Sequence, residues 1–247
     1  HLPKIINTYI EPFVGSGQLF LKVKAKNYVI NDINSELINF YSCLKNNPEK
    51  LFELYKAIEK SKEKYYEMRS IPTPTNDTYF DAARFLYLNE NCFNGLYRVN
   101  LKGEFNVPYS SIATVSGKDK SNFIHFSEVL KKTSILNIDF QEVVLSNLTC
   151  KPFVYLDPPY ALNNKRIFTQ YDTKTFGLND LERLDALLTK LDASGGKFLL
   201  SYAKSDKIDF ISKKWKPIDI PAYRSMAGFK KNRNFQVEKL IMNYDVE

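Results

Sequence analysis

Histidine is scarce in this sequence: His1 and His125 are the whole complement among 247 residues, so a histidine triad or a histidine-built metal cluster has no basis. The three cysteines, Cys43, Cys92 and Cys150, lie far apart in no ligand spacing. They indicate neither a disulfide framework nor a zinc site, and no metal is expected. No apolar run approaches the roughly 20 residues that a membrane-crossing helix needs. A signal peptide is also lacking, so the expected location is cytoplasmic, with no membrane partner. The chain opens abruptly on an apolar and basic stretch, as though its natural start lay upstream. What is present suits one sizeable core, or one core with a small inserted domain: 44% of residues are hydrophobic and 26% charged, with sixteen Tyr and eighteen Phe. The formal charge of +7 and a sequence pI near 9.0 favour a polyanionic partner without deciding it.

Short apolar runs bounded by turn residues recur at positions 8–10, 28–30, 135–138, 153–156 and 198–201. They read as buried strands of a mainly parallel sheet, with 237–242 as the last strand. Helical patterns lie between them. Leu181, Leu184, Leu187, Leu188 and Leu191 share one helix face, Asn179 or Asp180 can cap its start, and Gly195-Gly196 follows its end. Helix alternating with strand indicates an α/β fold. The alternation breaks between about residues 46 and 133, where a charged helical stretch (48–69) and an amphipathic one (79–88) flank a Pro-Thr-rich turn. A segment containing Leu101-Lys102-Gly103-Glu104 then reads as a hairpin. Residues 46–133 are therefore taken as an insert, and residues 1–45 and 134–247 as the domain that carries it.

Glu11-Pro12-Phe13-Val14-Gly15-Ser16-Gly17 follows the first strand and precedes a helical stretch, 18–24. Glycines there let the backbone pass close to a ligand. The dinucleotide pattern G-x-G-x-x-G fails at Phe20, and no Walker lysine follows, which disfavours a pyrophosphate or triphosphate ligand. Asp32 closes the second strand, where a carboxylate can accept from a ribose diol or cap the helix that follows. Asp139-Phe140 closes the third, where acid and ring can hold an adenine or serve as a cap and a core aromatic. Three acidic strand ends on one sheet edge favour a nucleoside without phosphates.

The strand at 153–156 runs into Asp157-Pro158-Pro159-Tyr160. Two prolines stop the ladder and stiffen the loop. Such a loop answers a chemical difficulty. An exocyclic adenine amine is a poor nucleophile because its lone pair is delocalised into the ring. A carboxylate and a backbone carbonyl accepting its two N–H bonds favour the pyramidal amine, which can attack a sulfonium methyl. Tyr160 can stack on the base. A strand-terminating turn with a buried Tyr explains the prolines but not the flanking Asp and Tyr.

Taken together, Phe13 to Gly17, Phe93-Asn94-Gly95-Leu96-Tyr97-Arg98-Val99-Asn100, Glu104-Phe105-Asn106-Val107-Pro108 and Asp157 to Tyr160 resemble the Dam family of alpha-group N6-adenine DNA methyltransferases. The resemblance covers nearly the whole chain. It implies a Rossmann-like methyltransferase sheet of seven strands with the last antiparallel, and a mostly helical target-recognition insert bearing a β-hairpin. It further implies S-adenosylmethionine as methyl donor, S-adenosylhomocysteine as product, and duplex DNA with a flipped adenine, often in a GATC-like site. The cofactor residues it implies are Glu11, Pro12, Phe13, Gly15, Ser16, Gly17, Asp32, Ile33, Asp139, Phe140 and Asp157. Asp157, Pro158, Pro159 and Tyr160 are the implied catalytic residues. In the pattern's terms, the Gly-Gly-Lys segment that relatives carry before the first strand is missing. Either the chain is incomplete or that part of the pocket is built otherwise. Val99 stands where some relatives place an aromatic that fills the gap left by the flipped base.

For the DNA side, Asn94, Arg98, Asn100, Lys102 and Asn106 form a polar, basic hairpin suited to phosphates and base edges, or a solvated hairpin whose amides make turns. Arg224, Lys230 and Lys231 belong to a basic run between the last two strands that could close over the DNA backbone, although such runs are usually solvated faces. A monomer is favoured, with a cognate restriction endonuclease as a possible partner. The competing functions are a DNA-binding protein that keeps the fold without methylating, and a methyltransferase acting on RNA adenine or a cytosine amine.

Overall fold

Side chains that alternate across the strands divide the molecule into layers. The computed structural model describes residues 1–100, 102–110, 119–159, 176–203, 205, 208–222 and 236–245. The chain runs β1 (Thr8–Glu11), β2 (Asn27–Asn31), α1 (Ser35–Asn46), α2 (Pro48–Ala57), α3 (Lys62–Ser70), α4 (Thr78–Asn91), α5 (Lys120–Lys131) and β3 (Thr133–Leu136). It continues through α6 (Phe140–Leu145), β4 (Phe153–Leu156), α7 (Leu178–Ala193), β5 (Lys197–Ala203), α8 (Asp209–Ser212), β6 (Lys216–Ala222) and β7 (Gln236–Met242). The seven strands form one sheet in the order β3-β2-β1-β4-β5-β7-β6. The first five are parallel, and β7 lies antiparallel between β5 and β6. This is the expected seven-stranded α/β arrangement.

Pleating sends Tyr9, Phe153 and Leu199 to one face and Ile10, Val154 and Leu200 to the other. On the first face they join Leu44 of α1, Leu51 of α2, Tyr65 of α3, Tyr87 of α4 and Leu130 of α5 in a single apolar cluster. On the second they meet Val144 of α6, Leu184 and Leu188 of α7 and Ile211 of α8. The helices expected as an insert thus share a core with one face of the sheet. Among the described residues no helix is long and apolar enough to cross a membrane.

Four local expectations change. Strand β3 starts two residues earlier than its apolar run and stops at Leu136, because the Asn31 side chain takes over the Ile138 backbone. The helix expected over 18–24 is only a 3-10 turn, Phe20–Lys22. The Tyr28 hydroxyl accepts from Ala25 N at 2.7 Å and donates to Val23 O at 3.1 Å, which turns the chain into β2. Helix α7 has Gly177 at its cap position, and Asp180, one turn in, accepts from the Gly177 N–H at 2.9 Å. Asn179 and Asp180 are therefore inside the helix. Finally, β6 was not visible as an apolar run: Pro217, Asp219 and Pro221 alternate with Ile218 and Ile220, a composition an edge strand tolerates.

Candidate active site

The turn after β1 is held from three directions. Val14 N donates to Asn31 O at 2.9 Å, and Gly17 N donates to Val14 O at 2.8 Å. The Tyr41 hydroxyl of α1 donates to Gly15 O at 2.7 Å, and Gly15 N donates to Asp32 Oδ2 at 3.1 Å. Gly15 and Gly17 have φ of +46° and +67°, a left-handed backbone that favours glycine. At Gly17 a Cβ would stand 3.1 Å from the Tyr41 hydroxyl. Asp32 is not the cap of α1. Asn34 takes that place, its side chain accepting from Glu36 N and Leu37 N, while Asp32 Oδ1 accepts from Asn34 N at 3.0 Å. Burial raises the Asp32 carboxyl above its usual range, against the backbone N–H bonds that lower it. Ile33 beside it is exposed.

Asn31, 1% exposed, ties three strand ends together. Its amide donates to Pro12 O and Ile138 O, both at 3.0 Å, and its carbonyl accepts from Ile138 N at 2.9 Å. The ends of β1, β2 and β3 are thereby set side by side. Register places Glu11 opposite Tyr155 of β4, two residues before Asp157, since Tyr9 pairs with Phe153 and Ile10 with Val154. Glu11 is 3% exposed and accepts from the Tyr9 hydroxyl at 2.6 Å. Burial, opposed by the Tyr9 bond and reinforced by the nearby negative charge of Asp157 and Asp32, pushes its carboxyl up to about 8. Burial together with the charges of Asp157 and Glu11 likewise raises the Tyr155 hydroxyl. Asp157 and Pro159 are exposed at the edge while Pro158 is buried.

Aromatic rings close one side. Phe13 lies 5.2 Å from Phe140, and Phe176 lies 5.9 Å from Phe13 and 6.0 Å from Phe140. Asp139 caps α6 by accepting from Gln141 N at 2.9 Å, and Phe140 is buried, so the cap and core-ring reading of this pair describes the fold. Asp139 Oδ1 also accepts from Arg183 Nη2 at 2.6 Å, while the Arg183 guanidinium stands 4.8 Å from the Phe140 ring centre. Arg183 holds Gln141 Oε1 at 2.9 Å and Asp180 Oδ1 at 2.8 Å as well.

Residues 1–226 match the family model of the D12 class N6 adenine-specific DNA methyltransferases. The chain belongs to that family. It is 38% identical to a Type II methyltransferase, M.MjaIII, of Methanocaldococcus jannaschii over 97% of this chain and 89% of that one. It is 36% identical to the Type II methyltransferase M1.LlaDCHI of Lactococcus lactis over 98% and 88%, respectively. Against the DNA adenine methylase of Serratia marcescens the identity is 33%, over 77% of this chain and 72% of the other.

Membership in the D12 class implies use of S-adenosylmethionine and a DNA substrate. The strand ends fit that cofactor chemically. Asp32 and Asp157 lie close enough for their charges to act on the Glu11 carboxyl, an acidic neighbourhood that suits a group bearing positive charge. Asp32 has acceptor capacity for a ribose, and the glycine turn gives a close backbone approach. Phe13 and Phe140 supply an apolar wall.

The predicted residues Glu11, Pro12, Phe13, Gly15, Ser16, Gly17, Asp32, Ile33, Asp139, Asp157, Pro158 and Pro159 fall on the carboxyl ends of β1 to β4 or the turns that follow, and Phe140 opens α6 directly after Asp139. Tyr160, Arg224, Lys230 and Lys231 lie outside the described residues. The hairpin is a small one: Val99 bridges Phe105, Asn100 N donates to Glu104 O at 2.9 Å, and Asn106 N donates to Arg98 O at 3.0 Å. Asn100 Oδ1 accepts from Lys102 N at 2.9 Å and Glu104 N at 3.0 Å, so this amide shapes the turn. Arg98 Nε donates to Asn106 Oδ1 at 2.7 Å, whereas Asn94 and Lys102 are exposed. Val99 is 6% exposed and turned into the protein. Asn31, Tyr9, Tyr155 and Arg183 were not singled out from the sequence. Only the i, i+2 spacing of Tyr9 and Glu11 on one strand face could have signalled any of them.

Proposed function

We propose that this chain transfers a methyl group from S-adenosylmethionine to the N6 amine of an adenine swung out of duplex DNA, within a short GATC-like site. The observation that carries this reading is the convergence of Glu11, the Gly15 turn, Asp32 and Asp157 on one sheet edge, with a Pro-Pro pair ending β4. The cofactor pocket is assigned to Glu11, Pro12, Phe13, Gly15, Ser16, Gly17, Asp32, Ile33, Asp139, Phe140 and Asp157. Residues 46–133 are assigned to target recognition, with Asn94, Arg98, Asn100, Lys102, Asn106, Arg224, Lys230 and Lys231 against DNA. The Type II names of two relatives are the reason to include a restriction endonuclease as partner. A cytoplasmic monomer completes the reading.

S-adenosylmethionine, when bound, supplies a methyl group made electrophilic by its sulfonium. The protein's part is to make the amine a nucleophile. The exposed Asp157 carboxylate and the Pro158 carbonyl accept one amine N–H each, which localises the nitrogen lone pair toward the methyl. Pro158 and Pro159 keep those acceptors from relaxing. The Asp157 carboxylate, at the solvent edge, can take up the proton that the amine loses. Tyr160 is assigned to stack on the base. Asp32 would hold the ribose of the cofactor, Asp139 and Phe140 would meet its adenine, and Phe13 would line the pocket beside them.

Transfer of labelled methyl from S-adenosylmethionine to duplex DNA, followed by nucleoside analysis, tests the reading. N6-methyladenine is the expected product; N4-methylcytosine, or label only in RNA, overturns it. Asp157→Ala should lower transfer by on the order of 10²- to 10³-fold or more while cofactor binding is partly retained. Normal turnover by that variant would remove Asp157 from the mechanism.

A further inference from the structure

One hydroxyl joins the cofactor end of β2 to the hairpin. Tyr97 donates to Glu36 Oε2 at 2.7 Å, and the Asn34 side chain is within hydrogen-bonding reach of the same hydroxyl. Glu36, in the first turn of α1, also accepts from Thr73 Oγ1 at 3.1 Å and Arg84 Nη1 at 3.3 Å. Arg84 is 3% exposed and is itself held by Met68 O at 2.7 Å and Arg69 O at 3.4 Å. On the cofactor side, the Asn34 main-chain N–H is bound by Asp32 Oδ1, whose partner oxygen holds Gly15 N. On the hairpin side, Tyr97 adjoins Arg98, which grips Asn106 across the hairpin. The Tyr97 ring sits 5.6 Å from both Phe85 and Phe105.

These contacts lie in partly buried surroundings, where hydrogen bonds polarise one another and a loose partner is costly. Fixing Asp32 fixes Asn34, which limits the positions open to the Tyr97 hydroxyl and so to the start of the hairpin. A ligand that orders one end lowers the ordering cost at the other.

We propose that Tyr97, through Asn34 and Glu36, couples cofactor binding at Asp32 to DNA binding by the hairpin, so that each ligand raises the affinity for the other. Tyr97 is here a positioning residue, and the inference rests on the assignments made above. The test is a binding square with S-adenosylhomocysteine and a duplex that the wild-type protein methylates. In the wild type, S-adenosylhomocysteine should tighten duplex binding by about fivefold or more, and the duplex should tighten S-adenosylhomocysteine by the same factor. In Tyr97→Phe, which keeps the ring, that factor should fall below about twofold while each ligand alone binds within about twofold of wild type. Glu36→Gln, which keeps the side-chain volume, provides a second measurement with the same expected fall. An undiminished factor in both variants, or no coupling in the wild type, overturns the inference and leaves the methylation reading intact. Absence of methyl transfer by the wild type overturns the reading itself.

Discussion

A carboxyl that must ionise in a buried, acidic neighbourhood makes folding and ligand binding sensitive to pH. Glu11, raised to about 8 from an ordinary 4.5, holds its proton at neutral pH in the ligand-free protein. Its protonated form favours folding fully below about pH 4.5, and that contribution is lost as pH rises toward and through about 8. Thermal unfolding of the ligand-free protein should thus show falling stability between pH 6 and about 9, with Glu11→Gln flattening the slope. A cationic ligand beside Glu11 favours the ionised form, so S-adenosylmethionine affinity should rise over the same interval. Calorimetry in buffers of different ionisation enthalpy should find a proton released on binding, and none released would remove Glu11 from the cofactor's surroundings. Arg183 leads to a second expectation. It pins one oxygen of Asp139 and covers Phe140. Arg183→Ala should raise the KM for S-adenosylmethionine by about tenfold with kcat little changed, the pattern of lost ground-state binding. A fall in kcat at unchanged KM would argue instead for a role in chemistry. At this scale the sequence showed the groups that carry local motifs: Glu11, Asp32 and Asp157 stand beside turn residues that mark them. Asn31 and Arg183 were hidden because their partners are remote, with Ile138 107 residues from Asn31 and Asp139 44 residues from Arg183.

The glycine turn is an element whose two left-handed positions have different surroundings. A Cβ at Gly15 would meet nothing within 4 Å, whereas at Gly17 it would lie 3.1 Å from the Tyr41 hydroxyl. Both substitutions to Ala carry the left-handed backbone cost of roughly 1–2 kcal/mol. Only Gly17→Ala also displaces Tyr41, and with it the bond that Tyr41 donates to Gly15 O. Gly17→Ala should therefore weaken S-adenosylmethionine binding more than Gly15→Ala, by about tenfold when measured by titration. Equal loss in the two variants would mean that backbone strain alone matters. Element existence was legible where a strand is buried on both faces, as β1, β4 and β5 are. It failed where side chains replace ladder bonds. Asn31 ends β3 two residues short of its apolar run, and Tyr28 cuts the helix after Gly17 to one turn. Strand β6 was invisible because prolines and an aspartate interrupt its apolar pattern.

For the whole molecule the question is whether residues 46–133 unfold by themselves. Leu51 of α2, 0% exposed, belongs to the same cluster as Tyr9 and Phe153 of the sheet. On the opposite face, Trp215, the single tryptophan, packs 5.1 Å from Phe198. Its fluorescence thus reports on a layer that Leu51 does not touch. If the helices of the first face and the sheet form one cooperative unit, a cavity at Leu51 must destabilise the second face equally. Leu51→Ala should cost about 2–5 kcal/mol. At this chain length that corresponds to a Tm lower by about 2–4 °C for each kcal/mol. Trp215 fluorescence and far-ultraviolet circular dichroism should report the same lowered midpoint. A Trp215 transition left at the wild-type midpoint, with the dichroism split in two, would show residues 46–133 to be a separate folding unit. The break in helix–strand alternation marked this segment in the sequence. Whether it owns a core depends on which face its apolar residues meet, and that is decided by packing between positions such as Tyr9 and Leu51, which no local pattern encodes.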